Sequence, residues 1–227
     1  MSFACFVTGT DTDVGKTLVA SALLEKCRER GWTAVGMKPV AAGCDSDGGN
    51  GYVRSLIAAG NLAVEHRLIN PYLFRDPIAP HIAAAEAGVA IEPARILESF
   101  ERLREKAEAV VVEGAGGLLV PLGPTWDGGD LARLLGLPVV LVVGMRLGCI
   151  NHALLTQEAI AKRGLTLAGW VANRSSPAMD RYAENLEALR QRLAAPLLGE
   201  IPFLDPPDAT VAAGCLELPD AAVGMRK

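Results

Sequence analysis

Short unbroken apolar runs alternate along the chain with stretches in which apolar residues recur at helical spacing. Ala4 to Thr8 is a run of the first kind and predicts a buried strand. From Lys16 to Arg30, Leu18, Val19, Ala22 and Leu23 fall at helical intervals, and Gly31 supplies the stop. A second strand is predicted over Thr33 to Met37, and the polar, glycine-rich stretch from Gly43 to Gly51 reads as a loop. Pro80 to Ala87 and Pro93 to Ala107 predict helices. In the latter, Ile96, Phe100 and Leu103 make one apolar face and Pro93 suits the first turn. Ala109 to Val112 is a β-rich run ending at Glu113, and Val139 to Val143 and Leu167 to Ala172 are two more. Asn151 to Arg163 and Met179 to Leu193 predict the helices around the last of these.

Strands alternating with helices of this length imply an α/β fold, a parallel sheet covered on both faces by helices. Repeats, low-complexity segments and linkers are absent from the sequence, so residues 1–227 are expected to form a single domain. In such sheets ligands sit beyond the carboxyl ends of the strands. Three predicted strands lead there into Gly9, Lys38 and Glu113, each followed by a polar or glycine-rich loop.

Composition narrows the classes of function. The chain has 227 residues, half of them hydrophobic. A domain of that size buries about 70–75% of the surface its unfolded chain exposes and needs no covalent staples. Its net charge of −4 comes with acids and bases spread along the chain, without a basic tract, which argues against nucleic acid as a partner. The five cysteines, Cys5, Cys27, Cys44, Cys149 and Cys215, match neither a disulfide framework nor a metal site. Without a signal-peptide pattern they read as free thiols in a reducing cytoplasm. The apolar runs fall short of the roughly 20 residues that span a membrane, so no membrane partner is expected.

The chemistry concentrates in Phe6-Val7-Thr8-Gly9-Thr10-Asp11-Thr12-Asp13-Val14-Gly15-Lys16-Thr17. Strand, glycine-bearing loop and helix follow in the order of a P-loop, although Thr10 takes the usual first-glycine position. Backbone N–H groups at the helix start favour phosphate. Lys16 is expected on the β- and γ-phosphates, and Thr17 is expected to offer its hydroxyl to Mg²⁺. Asp11 and Asp13 are unusual beside a polyanion. Either they receive a cationic substrate group or a proton, or one of them caps the helix or faces solvent.

Three other segments complete the candidate site. Glu113, at the start of Glu113-Gly114-Ala115-Gly116-Gly117, is placed to reach Mg²⁺; the plainer reading is an exposed acid at a strand end. Lys38 either neutralises a transferring phosphoryl group or is a solvated surface lysine. Gly148 and Asn151 fit a helix start, either as a carboxylate site or as a plain cap. Cys149 lies near His152, but with no further sign of a thiol nucleophile it reads as a small buried thiol.

From about Phe6 to Leu204 the chain resembles the dethiobiotin synthetases of biotin biosynthesis. The resemblance is carried by FVTGTDTDVGKT, GMKPVAAG, INPYLF, APHIAA, VEGAGG, LPVVLVVG, LGCINHALLT, LTLAGWVAN and APLLGEIPFL. It implies a P-loop NTPase-like domain working as a homodimer that joins CO₂ to 7,8-diaminopelargonate with ATP and Mg²⁺. A carbamate and then a carbamic-phosphoric anhydride are the implied intermediates. On the same basis, Lys16, Lys38, Asp13 and Thr12 are the implied catalytic residues, and Thr12 and Lys38 also touch the substrate. Residues Asp13, Val14, Gly15, Lys16, Thr17 and Leu18, with Glu113, Gly116, Asn173 and Pro202, are implied to hold the nucleotide. Thr17 and Glu113 are the implied Mg²⁺ ligands. Gly148, Cys149 and Asn151 are implied to bind the substrate carboxylate across the dimer interface.

Two departures from the family pattern stand out. Tyr52 occupies the place of an Asp that commonly serves as a third Mg²⁺ ligand, with Asp45 and Asp47 nearby as substitutes. Ala42 replaces a common serine. Two other classes share parts of this pattern. A partition-type or Mrp-like switch ATPase carries a second lysine where this chain has Asp11, and an amidotransferase-type ligase adds a glutaminase domain for which this chain has no room.

Overall fold

The computed structural model describes residues 3–220. The expected domain span of 1–227 therefore includes residues 1–2 and 221–227, which lie outside the described residues. The strands are β1 (Phe3–Gly9), β2 (Ala34–Met37), β3 (Val40–Ala42), β4 (Tyr72–Phe74), β5 (Ala109–Gly117), β6 (Val139–Gly144), β7 (Leu167–Asn173) and β8 (Leu197–Ile201). The helices are α1 (Lys16–Glu29), α2 (Gly51–Ala59), α3 (His66–Ile69), α4 (Pro80–Glu86), α5 (Pro93–Lys106), α6 (Gly128–Leu134), α7 (Cys149–Lys162), α8 (Tyr182–Arg192) and α9 (Ala209–Ala213).

Six strands form one sheet in the order β2-β5-β1-β6-β7-β8, every pair parallel. Alternation of side chains along the strands feeds two cores. From β1, Ala4 and Phe6 pack with Ile96, Phe100 and Leu103 of α5. On the opposite face Phe3, Cys5 and Val7 pack with Val19, Leu23 and Leu24 of α1 and with Ala212 of α9. A third cluster joins Leu141, Trp170 and Ala172 to α7 and α8. Both faces of the sheet are thus apolar, which is why its strands read as continuous hydrophobic runs.

The strand order reverses direction at β1. The chain leaves β1 towards β2 and β5, then crosses back to β6 on its other side. Such a switch point opens a crevice at the carboxyl end of the strand, and the loop after Gly9 starts there. The small β3–β4 sheet pairs Val40 with Tyr72 and Ala42 with Phe74, carrying residues 40–42 towards the same crevice.

Apart from the carboxyl end of β5, the expected strands and long helices are present with ends shifted by up to three residues. One difference matters for the site. β5 does not end at Glu113 but runs to Gly117, with a register irregularity against β1 between Val7 and Gly9. Glu113 is therefore an inward residue of a central strand.

Candidate active site

The loop between β1 and α1 has a fixed shape. Gly9 is needed because a Cβ there would come within 2.5 Å of Val14 Cγ2. Val14 itself is buried, so its side chain anchors the loop and only its backbone remains for a ligand. Gly15 is the residue before α1 and has φ +90°, a left-handed conformation that suits glycine. A Cβ at Gly15 would also meet Asn173 Nδ2 at 2.1 Å. Asn173, at the end of β7, donates from that nitrogen to the Val14 carbonyl at 2.8 Å, and its Oδ1 is buried without a hydrogen-bond partner. Gly15→Ala is expected to destabilise the protein by about 1–3 kcal/mol through backbone strain and to weaken nucleotide binding. Thermal melts with and without ATP check this.

Four of the expected residues converge on the floor of the crevice. Lys16 is 7% exposed and donates from Nζ to the Asp11 carbonyl at 2.8 Å. Glu113 is 1% exposed and its Oε1 accepts from both Thr17 Oγ1 at 2.8 Å and Lys38 Nζ at 2.7 Å. Lys38 is 5% exposed and also donates to the Gly114 carbonyl at 3.3 Å. The surface-lysine reading of Lys38 is therefore overturned, as is the exposed-acid reading of Glu113. The second carboxylate oxygen, Oε2, is buried with no hydrogen-bond partner. A buried anionic oxygen beside a threonine hydroxyl fits a hard divalent cation. Among the described residues no cluster of three His, Cys, Asp or Glu side chains forms a metal site, so such an ion relies on Thr17, Glu113 and ligand oxygens.

Burial and a neighbouring charge perturb Lys16. Burial, followed by the nearby Lys38 ammonium, lowers the Lys16 pKa from 10.5 to about 8, against the pull of Glu113, Asp13 and Asp11. Between pH 8 and 10.5 the unfolded lysine keeps a proton that the folded one releases, so this residue makes stability rise with pH across that window. A polyphosphate needs the protonated form. The affinity of the protein for ATP is expected to fall as pH rises above about 8, which calorimetric titration over pH 7–9.5 tests.

The aspartates of the loop separate in role. Asp11 pairs with Arg146 and accepts from the Thr12 N–H at 2.7 Å. Asp13 is exposed with φ +57°, a conformation aspartate tolerates better than most residues, and it accepts from Tyr52 Oη at 3.5 Å. Neither acid caps α1, because Gly15 holds the cap position without a side-chain bond. Thr12, Asp13, Gly15, Lys16, Thr17, Leu18, Lys38, Glu113 and Gly116 all line one cleft of about 810 Å³, whose opposite wall includes Val40, Ala41, Ala42, Ile78, Ala79 and Pro80.

Several expected residues lie elsewhere. Asp45 and Asp47 both pair with Arg54 of α2 and do not face the cleft. Pro202 is exposed just after β8 and does not line the cleft, whereas Pro207 and Ala209 do. Gly148, Cys149 and Asn151 begin α7 away from the cleft lining of the same chain. The Cys149 N–H is committed to the Arg146 carbonyl at 3.0 Å. Its thiol is buried, which pushes its pKa up and agrees with a packing role. Sequence reasoning gave no role to the apolar wall; its only signal was that the wall comes from the KPVAAG and APHIAA segments.

A family model described as an AAA domain matches residues 4–210. The ATP-dependent dethiobiotin synthetase BioD of Aromatoleum aromaticum is 58% identical over 219 residues, covering 95% of this chain and 97% of that protein. The protein of the same name from Nitrosospira multiformis is 52% identical over 223 residues, covering 97% and 96%. Among solved structures, the septum site-determining protein MinD from Pyrococcus horikoshii, complexed with Mg-ADP, superposes with a TM-score of 0.59 at 17% identity, covering 94% of this chain and 86% of that one. A ParA family ATPase from Chlorobium tepidum gives 0.57 at 12% identity, covering 93% and 89%. These two likenesses establish a P-loop NTPase fold and no more. The level of identity to the synthetases, sustained over almost the whole length of both chains, decides the rest: the chain belongs to the ATP-dependent dethiobiotin synthetase family.

Proposed function

We propose that the cleft closes the ureido ring of dethiobiotin from 7,8-diaminopelargonate and CO₂, with ATP cleaved to ADP and phosphate. The observation that carries this reading is the convergence of Lys16, Lys38, Thr17 and Glu113 in one apolar-walled cleft with Asp13, a carboxylate that has no ion-pair partner among the described residues. The lysines suit a phosphoryl group in transfer, the wall suits a hydrocarbon chain, and the carboxylate suits an amine.

In the proposed sequence one substrate amine loses a proton and adds to CO₂, giving a carbamate near Thr12 and Lys38. A carbamate oxygen then attacks the γ-phosphorus and ADP departs. The second amine attacks the carbamoyl carbon, phosphate leaves with the C–O bond electrons, and the remaining proton is lost. Asp13 holds or deprotonates the amine. Lys16 and Lys38 offset the charge that builds on the transferring group. Thr17 and Glu113 would hold Mg²⁺, which when bound would neutralise charge on the phosphate oxygens. Backbone of residues 13–18 cradles the phosphates, Gly116 lets the opposite loop approach, and Asn173, braced against the loop through the Val14 carbonyl, is assigned to the base.

A cytoplasmic homodimer is part of the proposal. Leu147 is 93% exposed and Leu155 is exposed on α7, next to the turn Gly148–Asn151. A second copy covering this face would bring that turn to the substrate carboxylate. Among the described residues no helix is long and apolar enough to cross a membrane.

The test is purified protein with ATP, Mg²⁺, bicarbonate and 7,8-diaminopelargonate. Dethiobiotin formation, with ATP hydrolysis dependent on the diamine, is expected. Hydrolysis indifferent to the diamine but stimulated by a protein or lipid surface would overturn the reading in favour of a switch ATPase.

A further inference from the structure

The phosphate-handling residues leave one arrangement at the cleft mouth unexplained. The acids lining the cleft are Asp13 and Glu113. Glu113 is committed to Lys38 and Thr17. No lysine, arginine or histidine among the described residues lies within ion-pair distance of Asp13; its neighbour is the Tyr52 hydroxyl, at 3.5 Å. Asp45 and Asp47, the other acids of this region, are drawn away by Arg54.

Tyr52 is 50% exposed, yet its position is fixed. It is the second residue of α2, whose first turn is capped by Asn50: Asn50 Oδ1 accepts from the Val53 N–H at 3.1 Å, and Asn50 Nδ2 donates to the Gly43 carbonyl at 2.6 Å. The Lys38 ammonium lies 5.7 Å from the ring centroid, so a second cation at this ring needs the Asp13 carboxylate beside the hydroxyl to offset the repulsion. Two of the three Lys38 donors go to Glu113 and Gly114, and its ion pair is made with Glu113 rather than with Asp13.

We propose that Tyr52 is a substrate-specificity residue: its ring face and hydroxyl, together with the Asp13 carboxylate, seat a primary ammonium group of the substrate. This inference rests on the reading of the cleft as a diamine site and assigns to Tyr52 the amine rather than the metal. An aromatic face attracts an ammonium through its quadrupole, a neighbouring carboxylate supplies the opposite charge, and the phenol oxygen retains lone pairs to accept a hydrogen bond while its proton goes to Asp13. Burial and the Asp13 charge both push the phenol pKa up, which keeps that proton in place at neutral pH. Beyond the ammonium, Val40, Ala41 and Ile78 offer apolar surface to a hydrocarbon chain.

The experiment measures binding of 7,8-diaminopelargonate by calorimetry to the full chain and to Tyr52→Phe and Tyr52→Leu, alongside binding of a non-hydrolysable ATP analogue with Mg²⁺. Tyr52→Leu is expected to weaken the diamine about tenfold and Tyr52→Phe about threefold, in keeping with loss of a whole cation–π contact and of the hydroxyl alone. Affinity for the ATP analogue and its Mg²⁺ requirement are expected to stay within about twofold. Unchanged diamine affinity in Tyr52→Leu overturns the assignment. So does an equal loss for the ATP analogue, which would place Tyr52 on the nucleotide or metal, and so does a wild-type chain that binds no diamine. A chain that binds the diamine through Tyr52 but forms no dethiobiotin upholds the assignment and defeats the ring-closing reaction instead.

Discussion

Lys16→Ala is expected to lower kcat for dethiobiotin formation about a thousandfold, because it removes a fixed, buried positive charge from the position where charge builds during phosphoryl transfer. Lys16 is pre-aimed by its bond to the Asp11 carbonyl, and few solvent molecules compete for it. Lys16→Arg should restore little, since the planar guanidinium is larger than the buried site and cannot act as a point charge there. The same substitution has an opposite effect on stability. Lys16 suffers from burial and from Lys38, so its removal relieves strain on the folded state. The melting temperature of Lys16→Ala without nucleotide is expected to equal or exceed that of the wild type. Turnover followed by mass spectrometry and melting followed by calorimetry check both halves; a rate near wild type would refute the phosphate-loop assignment.

Glu113→Ala is expected to abolish turnover and also to destabilise. Glu113 Oε1 is shared by Thr17 and Lys38, so its loss leaves the Lys38 ammonium in the interior with only the Gly114 carbonyl. Breaking a buried pair from one side costs about 3–5 kcal/mol, which lowers the melting temperature on the order of 10 °C for a chain of this length. Thr17→Val separates the two effects: it too should lose activity, yet it leaves the ion pair intact and melts near wild type. A double change, Glu113→Ala with Lys38→Met, should recover most of the stability and none of the turnover. If Glu113→Ala melts normally, the Lys38–Glu113 pair does not contribute as described.

Much of this was legible in the sequence, for a physical reason. A parallel sheet buried on both faces needs unbroken apolar runs such as Val110-Val111-Val112 and Val139 to Val143, and these leave a strong trace. The phosphate loop is equally legible, because its backbone demands glycine and its chemistry demands Lys16 and Thr17 at adjacent positions. What escaped were elements stabilised by contacts rather than by pattern. α6 begins with two glycines and exists because Asp127 and Asp130 form a reciprocal cap. β3 and β4 are three residues each and form a separate two-stranded sheet among the described residues. α2 opens at Gly51, inside a stretch whose composition reads as a loop, and is started by Asn50. Lys38 was ambiguous for a related reason: its burial depends on Glu113, which lies 75 residues away in sequence and which no local pattern connects to it.

The brace between Asn173 and Val14 has one more consequence. Since one Nδ2–H is bound to the Val14 carbonyl, the amide plane is held, and the oxygen on its other side is left as an acceptor. Whatever chemical group approaches that oxygen has to arrive carrying a hydrogen of its own. An amino edge would satisfy it and a bare carbonyl edge would set lone pairs against lone pairs, so the strand end that steadies the loop is expected to favour a ligand edge that bears an N–H.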